Sequence, residues 1–123
     1  MNFRKFKTSS EKEVLGGKTD KNNEELIAQV DSNEIVLHTD QAGSPFVNIK
    51  GKASKKDIKE AAVFCARYSR DWKKNKADVM VHYFKGKDIY KEKKMKLGTF
   101  GVKKVGKIKI KKEDIEGFES REE

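Results

Sequence analysis

The sequence predicts an α+β domain: a mostly antiparallel, twisted sheet packed by one long and one short helix. Three observations carry that expectation. Residues 47–49 and 107–111 alternate apolar and polar side chains, the period of a strand with one covered face. Ile58, Ala62, Cys65, Ser69 and Trp72 recur at helical spacing, with Ala61 and Tyr68 broadening the stripe. No internal repeat and no proline-rich or glycine-serine linker divides the 123 residues, so one domain is expected.

Taken in order, Phe3 to Thr8 read as a first strand, Ser9 to Lys12 as a turn, and Glu13 to Gly16 as a returning strand. Gly16-Gly17 breaks the pattern. Thr19 or Asp20 is placed to cap a short helix over about 21–30, with Leu26, Ile27 and Val30 inward. Ile35-Val36-Leu37 is continuously apolar, which implies a strand covered on both faces. It delivers His38, Thr39 and Asp40 to its exit. Pro45, the only proline, holds Ser44 extended, and a half-buried strand follows through Val47 and Ile49.

Ser54 with Asp57 three positions on is a capping pattern, and it opens a long helix expected over 55–74. Small residues on its inner stripe permit close approach to a sheet. Residues 77–84 form the next strand, with Val79, Val81 and Tyr83 on one side and Met80, His82 and Phe84 on the other. Gly86 turns the chain, and 88–91 is expected to pair back. Residues 97–102 and 107–111 read as closing strands. In the last, Ile108 and Ile110 face inward and Lys107, Lys109 and Lys111 outward, roughly 6.6 Å apart. The domain is expected over 1–112, with 113–123 a frayed acidic tail.

Composition bounds the function. The chain is 35% hydrophobic and 40% charged, so its core is small and its surface highly charged. Cys65 is the only cysteine; it sits in the longest apolar run and reads as an inert small hydrophobe. That usage fits a reducing, cytoplasmic setting. No segment approaches signal-peptide or membrane-helix length, so no membrane partner is expected.

Charge is segregated. Residues 73–112 carry fifteen lysines against three acids, a local charge of +12, whereas the whole chain is +9. Residues 1–72 are near balance and the last eleven residues are acidic. Such a field fits a polyanion, and nucleic acid is the commonest; a merely solvated face is the plain alternative. Lys91, Lys93, Lys94, Lys96, Lys103, Lys104, Lys107 and Lys109 are the expected phosphate contacts. Tyr83, Phe84, Tyr90 and Phe100 interleave with them, as in modules that stack single-stranded RNA bases. Tyr83 and Phe84 point to opposite sides of one strand, so at most one faces RNA. A third class is an adaptor whose basic surface grips an acidic protein or the chain's own tail.

Gly17-Lys18-Thr19 lacks the upstream glycine of a nucleotide-binding loop, since Lys12 stands there. What remains is an anion position before a helix, or a flexible turn. His38 and Asp40 share a face of an extended chain, with Ser44 nearby. A hydrolase reading would have Asp40 orient the His38 ring, yet there is no nucleophile elbow and no second histidine in register. Lys18, Asn23, His38 and Asp40 are instead expected to form a polar pocket for a ribose or an RNA end. No catalytic residue, metal or cofactor is expected.

Four segments, read together, resemble one family. Gly17-Lys18-Thr19-Asp20-Lys21-Asn22-Asn23-Glu24-Glu25-Leu26 resembles its Gly-Arg/Lys…Asn-Glu-x-Leu segment. Leu37-His38-Thr39-Asp40 with Ala42-Gly43-Ser44-Pro45 resembles its His-Ala-Asp…Gly-Ala/Ser-Pro segment. Ala61-Ala62 and Tyr68-Ser69-Arg70-Asp71-Trp72 are similar to its Ala-rich helix ending in Ser-Lys-x-Trp. Leu97-Gly98-Thr99-Phe100 with Lys103-Lys104 resembles its Gly-Ser-Phe…Lys-Lys close. The family is the NFACT RNA-binding module, the R domain of NFACT proteins. These include bacterial fibronectin-binding-like and eukaryotic ribosome quality-control factors. The resemblance implies RNA binding, with tRNA or the ribosome (rRNA) as the usual setting, or an attachment to an RNA-modifying enzyme. The chain looks like a stand-alone module, so addition of tails to stalled peptides is not expected of it. It departs from the family at 85–91, where the usual Pro-x-x-Val-x-Lys is reduced to Lys91.

Overall fold

A computed structural model describes residues 2–122. The fold is α+β, as expected. Eight strands and four helices run β1 (Arg4–Lys7), β2 (Glu13–Gly16), α1 (Asp20–Ala28), β3 (Ile35–Thr39), β4 (Val47–Ile49), α2 (Lys55–Arg67), α3 (Arg70–Asn75), β5 (Val79–Lys85), β6 (Ile89–Tyr90), β7 (Gly101–Val102), β8 (Gly106–Ile110) and α4 (Lys112–Glu122). Six strands form one sheet in the order β1-β2-β4-β3-β5-β8, with every pairing antiparallel. β6 and β7 make a separate two-stranded sheet.

Alternation along the strands sends side chains to two cores. Val14, Leu37, Val47, Ile49, Val79, Val81 and Ile110 meet α2, α3 and α4 on one face. Leu15, Val36, Phe46 and Phe84 meet Leu26 of α1 on the other, with Ile89, Phe100 and Val102 of the β6–β7 hairpin packed alongside. Val36 and Leu37 are both fully buried on opposite faces, which is why β3 reads as an unbroken apolar run. β4 differs from its half-buried expectation. Asn48 between its two apolar residues is itself fully buried. Its amide donates to the Ile35 and Ile49 carbonyls and accepts from Gln29 at 2.9 Å, so the burial leaves no polar atom stranded.

The long helix is two helices. α2 ends at Arg67, and Ser69 caps α3: its hydroxyl donates to the Ala66 carbonyl at 2.7 Å and accepts from Trp72 N–H at 3.1 Å. A hydroxyl that bonds a carbonyl one turn back competes with the helical ladder, which explains the break. The stripe survives it, since Trp72 remains buried. The segment 88–91 pairs with β7 rather than with β5, and only Gly101 and Val102 of 97–102 are in a strand.

The acidic C-terminal segment is not frayed. It forms α4, with Ile115 and Phe118 buried against α2. Phe118 stands edge-on to Phe6 at 5.3 Å and to Phe64 at 6.1 Å. Glu119 accepts from the Trp72 indole N–H at 3.0 Å and lies 3.3 Å from Arg67. The i, i+3 apolar pair Ile115/Phe118 had been outweighed by the charge around it.

α2 starts on a complete capping box, with Ser54 and Asp57 each bonding the other's backbone. Asp57 also accepts from the Ser10 hydroxyl at 2.5 Å, which ties the β1–β2 turn to the helix. That hydrogen bond, then the Ser54 backbone N–H, hold the carboxyl down at about 2 against an ordinary 3.8. A depressed acid stabilises the fold above its unfolded value and loses that contribution as pH falls through its folded value. Stability is therefore expected to drop between about pH 4 and pH 2 in urea melts. Asp57→Asn should flatten that drop and cost about 1–2 kcal/mol at pH 7. Phe118→Ala is expected to cost about 3 kcal/mol. Fluorescence of Trp72, the sole tryptophan, should report that loss as a lower urea midpoint.

Candidate nucleic-acid interface

Beyond the edge of the second core the sheet face is open. Register fixes what lies there. His38 on β3 pairs with His82 on β5, and His82 pairs with Lys107 on β8. Directly paired residues project to the same side, so these three form a row across the sheet. Met80 and Lys109 form the next rung, and the Asp40 N–H donates to the Met80 carbonyl at 2.9 Å. Ile108 and Ile110 turn to the helical core, which leaves Lys107 and Lys109 exposed on this face.

The row opens into a cleft of about 560 Å³. Its walls are His38, Asp40 and His82 on one side, and Gly98, Thr99, Phe100, Val102 and Val105 on the other. Phe100 stacks edge-on against Phe46 at 5.4 Å, and Phe46 lies 4.4 Å from the His38 ring. Lys103 and Lys104 stand exposed on the stretch between Val102 and Val105, at the rim. Lys93, Lys94 and Lys96 are exposed on the loop joining β6 to β7, which leads into the Gly98 wall.

The two histidines differ. His38 is half-buried, and its Nδ1 lies 2.8 Å from the Thr39 carbonyl. A carbonyl only accepts, so Nδ1 carries the proton and Nε2 keeps a lone pair when the ring is neutral. Burial pushes His38 below the ordinary imidazole value; the Thr39 carbonyl opposes this, and His82 adds to it. Asp40 does not orient His38. Its carboxylate lies 2.9 Å from His82 Nε2, off the line of a hydrogen bond, so the contact is ionic when that ring is charged. His82 is thus a second histidine in register with His38, contrary to the sequence reading. Pairing residues 35–39 with 81–85 antiparallel would have exposed it.

The polar pocket expected from Lys18, Asn23, His38 and Asp40 is divided. His38 and Asp40 line the cleft just described, whereas Lys18 lines an adjoining one. Asn23 stands on the wall between them, with Asp20, Gly43 and Ser44. It is buried, and its Oδ1 accepts from Phe46 N–H at 3.1 Å. Gly17 must be glycine because a Cβ there would meet that oxygen at 1.9 Å. Lys91 is set apart from the other lysines. Its ammonium donates to Glu24 at 2.7 Å and to the Lys96 and Thr99 carbonyls at 2.6 and 2.7 Å, and it lies over the Phe100 ring. Three donors meet three acceptors, so Lys91 braces the hairpin against α1.

Of the interleaved aromatics, Phe84 is in the second core and Tyr83 packs toward the first. Tyr90 is exposed, and Phe100 presents part of its ring to the cleft. The Ser44 and Cys65 side chains are not set up as nucleophiles. The buried Ser44 hydroxyl donates to the Pro45 carbonyl and accepts from Thr39 N–H. Burial pushes the Cys65 thiol up to about 12. Among the described residues no three His, Cys, Asp or Glu side chains are grouped to hold a metal, and no helix is long and apolar enough to cross a membrane.

Arg4, Arg70 and Lys73, in the adjoining cleft with Lys18, were missed by sequence reasoning. Arg70 and Lys73, three apart, share a face of α3, but nothing in the sequence brings Arg4 of β1 to them. Arg70 carried a signal as part of Ser69-Arg70-Asp71-Trp72, and Lys73 as the first lysine of the basic stretch.

The fold has a solved counterpart in the C-terminal region of the fibronectin/fibrinogen-binding protein from Streptococcus suis, at a TM-score of 0.83 and 18% identity. The match covers 95% of this chain and 49% of that one, so this chain spans about half the length of its counterpart. No curated protein sequence matches. The family model described as the NFACT protein RNA binding domain matches residues 2–104, through β7 and into the Lys103-Lys104 rim. That description carries a general role in binding RNA. The chain belongs to the NFACT RNA-binding domain family.

Proposed function

We propose that the chain binds structured RNA, tRNA or rRNA, across the open face of the sheet with little regard for sequence. The observation that carries this reading is the His38–His82–Lys107 row, with lysines on two bordering loops. Lys93, Lys94, Lys96, Lys103, Lys104, Lys107 and Lys109 neutralise backbone phosphates. None of them has an acid within 4.0 Å among the described residues, so each is available to a ligand. His38 accepts a ribose 2′-OH through Nε2, and Asp40 accepts a second hydroxyl or base N–H. Both groups accept, so each suits the donor O–H of a 2′-OH, a group that distinguishes RNA from DNA. The exposed part of Phe100 offers a stacking edge. The chain acts as a binder rather than an enzyme, in a cytoplasmic translation or RNA-modification setting and through contact with the ribosome or a modifying enzyme. The occupied Ser44 hydroxyl and the pairing of Asp40 with His82 in place of His38 disfavour the expected hydrolase arrangement.

α4 bears on the adaptor reading. Its acids meet Arg67, Lys59 and Lys76 on the helical face, not the lysines of the open face. The tail therefore leaves the groove free.

If about six phosphates are engaged, log affinity should fall with log salt at a slope near −4 for a single strand. A flat response would remove the phosphate-binding reading. Lys94→Glu with Lys96→Glu should weaken unrelated RNAs by similar factors in filter binding. A changed sequence preference would contradict their assignment to the backbone.

A further inference from the structure

The cleft next to the groove has a separate design. It holds about 290 Å³ between β1, the start of α1 and the start of α3. Arg4, Lys18, Arg70 and Lys73 line it, against a single acid, Asp20. None of the four cations has an acid within 4.0 Å among the described residues. Like charges gathered in one concavity repel one another, and Asp20 is the one acid on its walls to offset them.

The walls hold the Arg4 guanidinium and the Arg70 backbone in place. The Arg4 guanidinium donates to the Gly17 carbonyl at 3.2 Å and lies 4.3 Å over the Tyr68 ring. Tyr68 is fixed from below, with its hydroxyl on Glu122 and Arg67 over its ring. Arg70 N–H donates to the Gly43 carbonyl at 2.9 Å, which clamps the loop to α3. Gly43 has φ +90°, and a Cβ there would meet the Arg70 side chain at 3.0 Å, so only glycine lets the guanidinium lie along the loop. The α1 terminus contributes little. The Lys18 N–H already donates to Asn22 Oδ1, and Thr19 caps the Asn22 N–H. The case rests on side-chain cations.

We propose that this cleft binds a phosphate monoester, the phosphorylated end of an RNA strand whose body lies in the neighbouring groove. A monoester carries close to two negative charges at pH 7 and three acceptor oxygens; an internal diester carries one charge. Two guanidiniums, that of Arg4 anchored and that of Arg70 exposed beside Gly43, suit forked recognition of such a group, and two ammoniums supply further charge. The cleft and the groove share a wall of Asp20, Asn23, Gly43 and Ser44, so one strand can cross it without a break. The identity of the phosphate as an RNA end rests on the function proposed above; the cleft's affinity for a monoester does not.

The test compares one RNA oligonucleotide bearing a 5′-phosphate, a 3′-phosphate, or hydroxyls at both ends. Wild type should bind one phosphorylated form about tenfold tighter than the unphosphorylated strand. Arg70→Ala should abolish that preference and leave affinity for the unphosphorylated strand unchanged. Arg4→Lys, which keeps charge but loses the fork, should reduce the preference. Lys94→Glu with Lys96→Glu should weaken all three strands and keep their ratio. Equal binding of all three by wild type would overturn the proposal, as would an Arg70→Ala variant that weakens them all equally. Should no RNA bind, the groove reading fails and the cleft is judged with a nucleoside 5′-monophosphate. Amide shifts at Gly17, Lys18 and Gly43 that vanish in Arg70→Ala then support it, and their absence in wild type overturns it.

Discussion

The register of β3, β5 and β8 is the constraint on which the rest depends. Leu37, Val81, Ile108 and Ile110 enter the helical core only in the pairing that also sets His38, His82 and Lys107 side by side. A slip of one residue would bury Lys107 and Lys109 and expose the isoleucines. Burying an unpaired ammonium costs several kcal/mol, more than a β-strand of this length recovers by pairing. Hydrophobic burial on one side of the sheet thereby assembles a charged row on the other. No polar contact between His38 and Lys107 is needed to place them.

The same division explains the segregation of charge. Acids gather on α4, where Glu119 and Glu122 satisfy Arg67, Tyr68 and the Trp72 indole. Lysines gather on β8 and the β6–β7 connection, with few carboxylates near them. Glu24 is a purposeful exception, since it holds Lys91 and the Gly98 N–H and so fixes the hairpin that walls the cleft. The Lys91 hydrogen bond outweighs partial burial and keeps Glu24 ionised below its usual range. A short two-stranded hairpin is marginal alone. Here it is anchored by that ion pair and by Phe100 against Phe46.

Much of this was legible in the residues. Period-two patterning gave β5 and β8, the unbroken Ile35-Val36-Leu37 run gave a doubly covered strand, and Ser54 with Asp57 gave the start of α2. The lysine excess located the basic half. Where sequence reading failed, tertiary contacts had decided the outcome. The back-bond from the Ser69 hydroxyl to a carbonyl one turn earlier is readable from its place in the stripe, but its capping of a second helix through Trp72 N–H is not. Residues 113–122 read as tail because Ile115 and Phe118 are two apolar side chains among many charges. Lys91 was grouped with the phosphate-contacting lysines, although its ammonium is enclosed by Glu24 and two carbonyls. Arg4 and Lys18 meet the Arg70/Lys73 pair of α3 only through folding.

The central claim is that the open sheet face, and not the helical face, meets RNA. Titrating isotope-labelled protein with an unphosphorylated single-stranded RNA, and following amide and histidine side-chain NMR signals, tests it most directly. The account predicts shifts at His38, His82, residues 98–105, Lys107 and Lys109, with α2 and α4 unmoved. Shifts concentrated on α2 and α4, with the His38 and His82 rings unaffected, would contradict it.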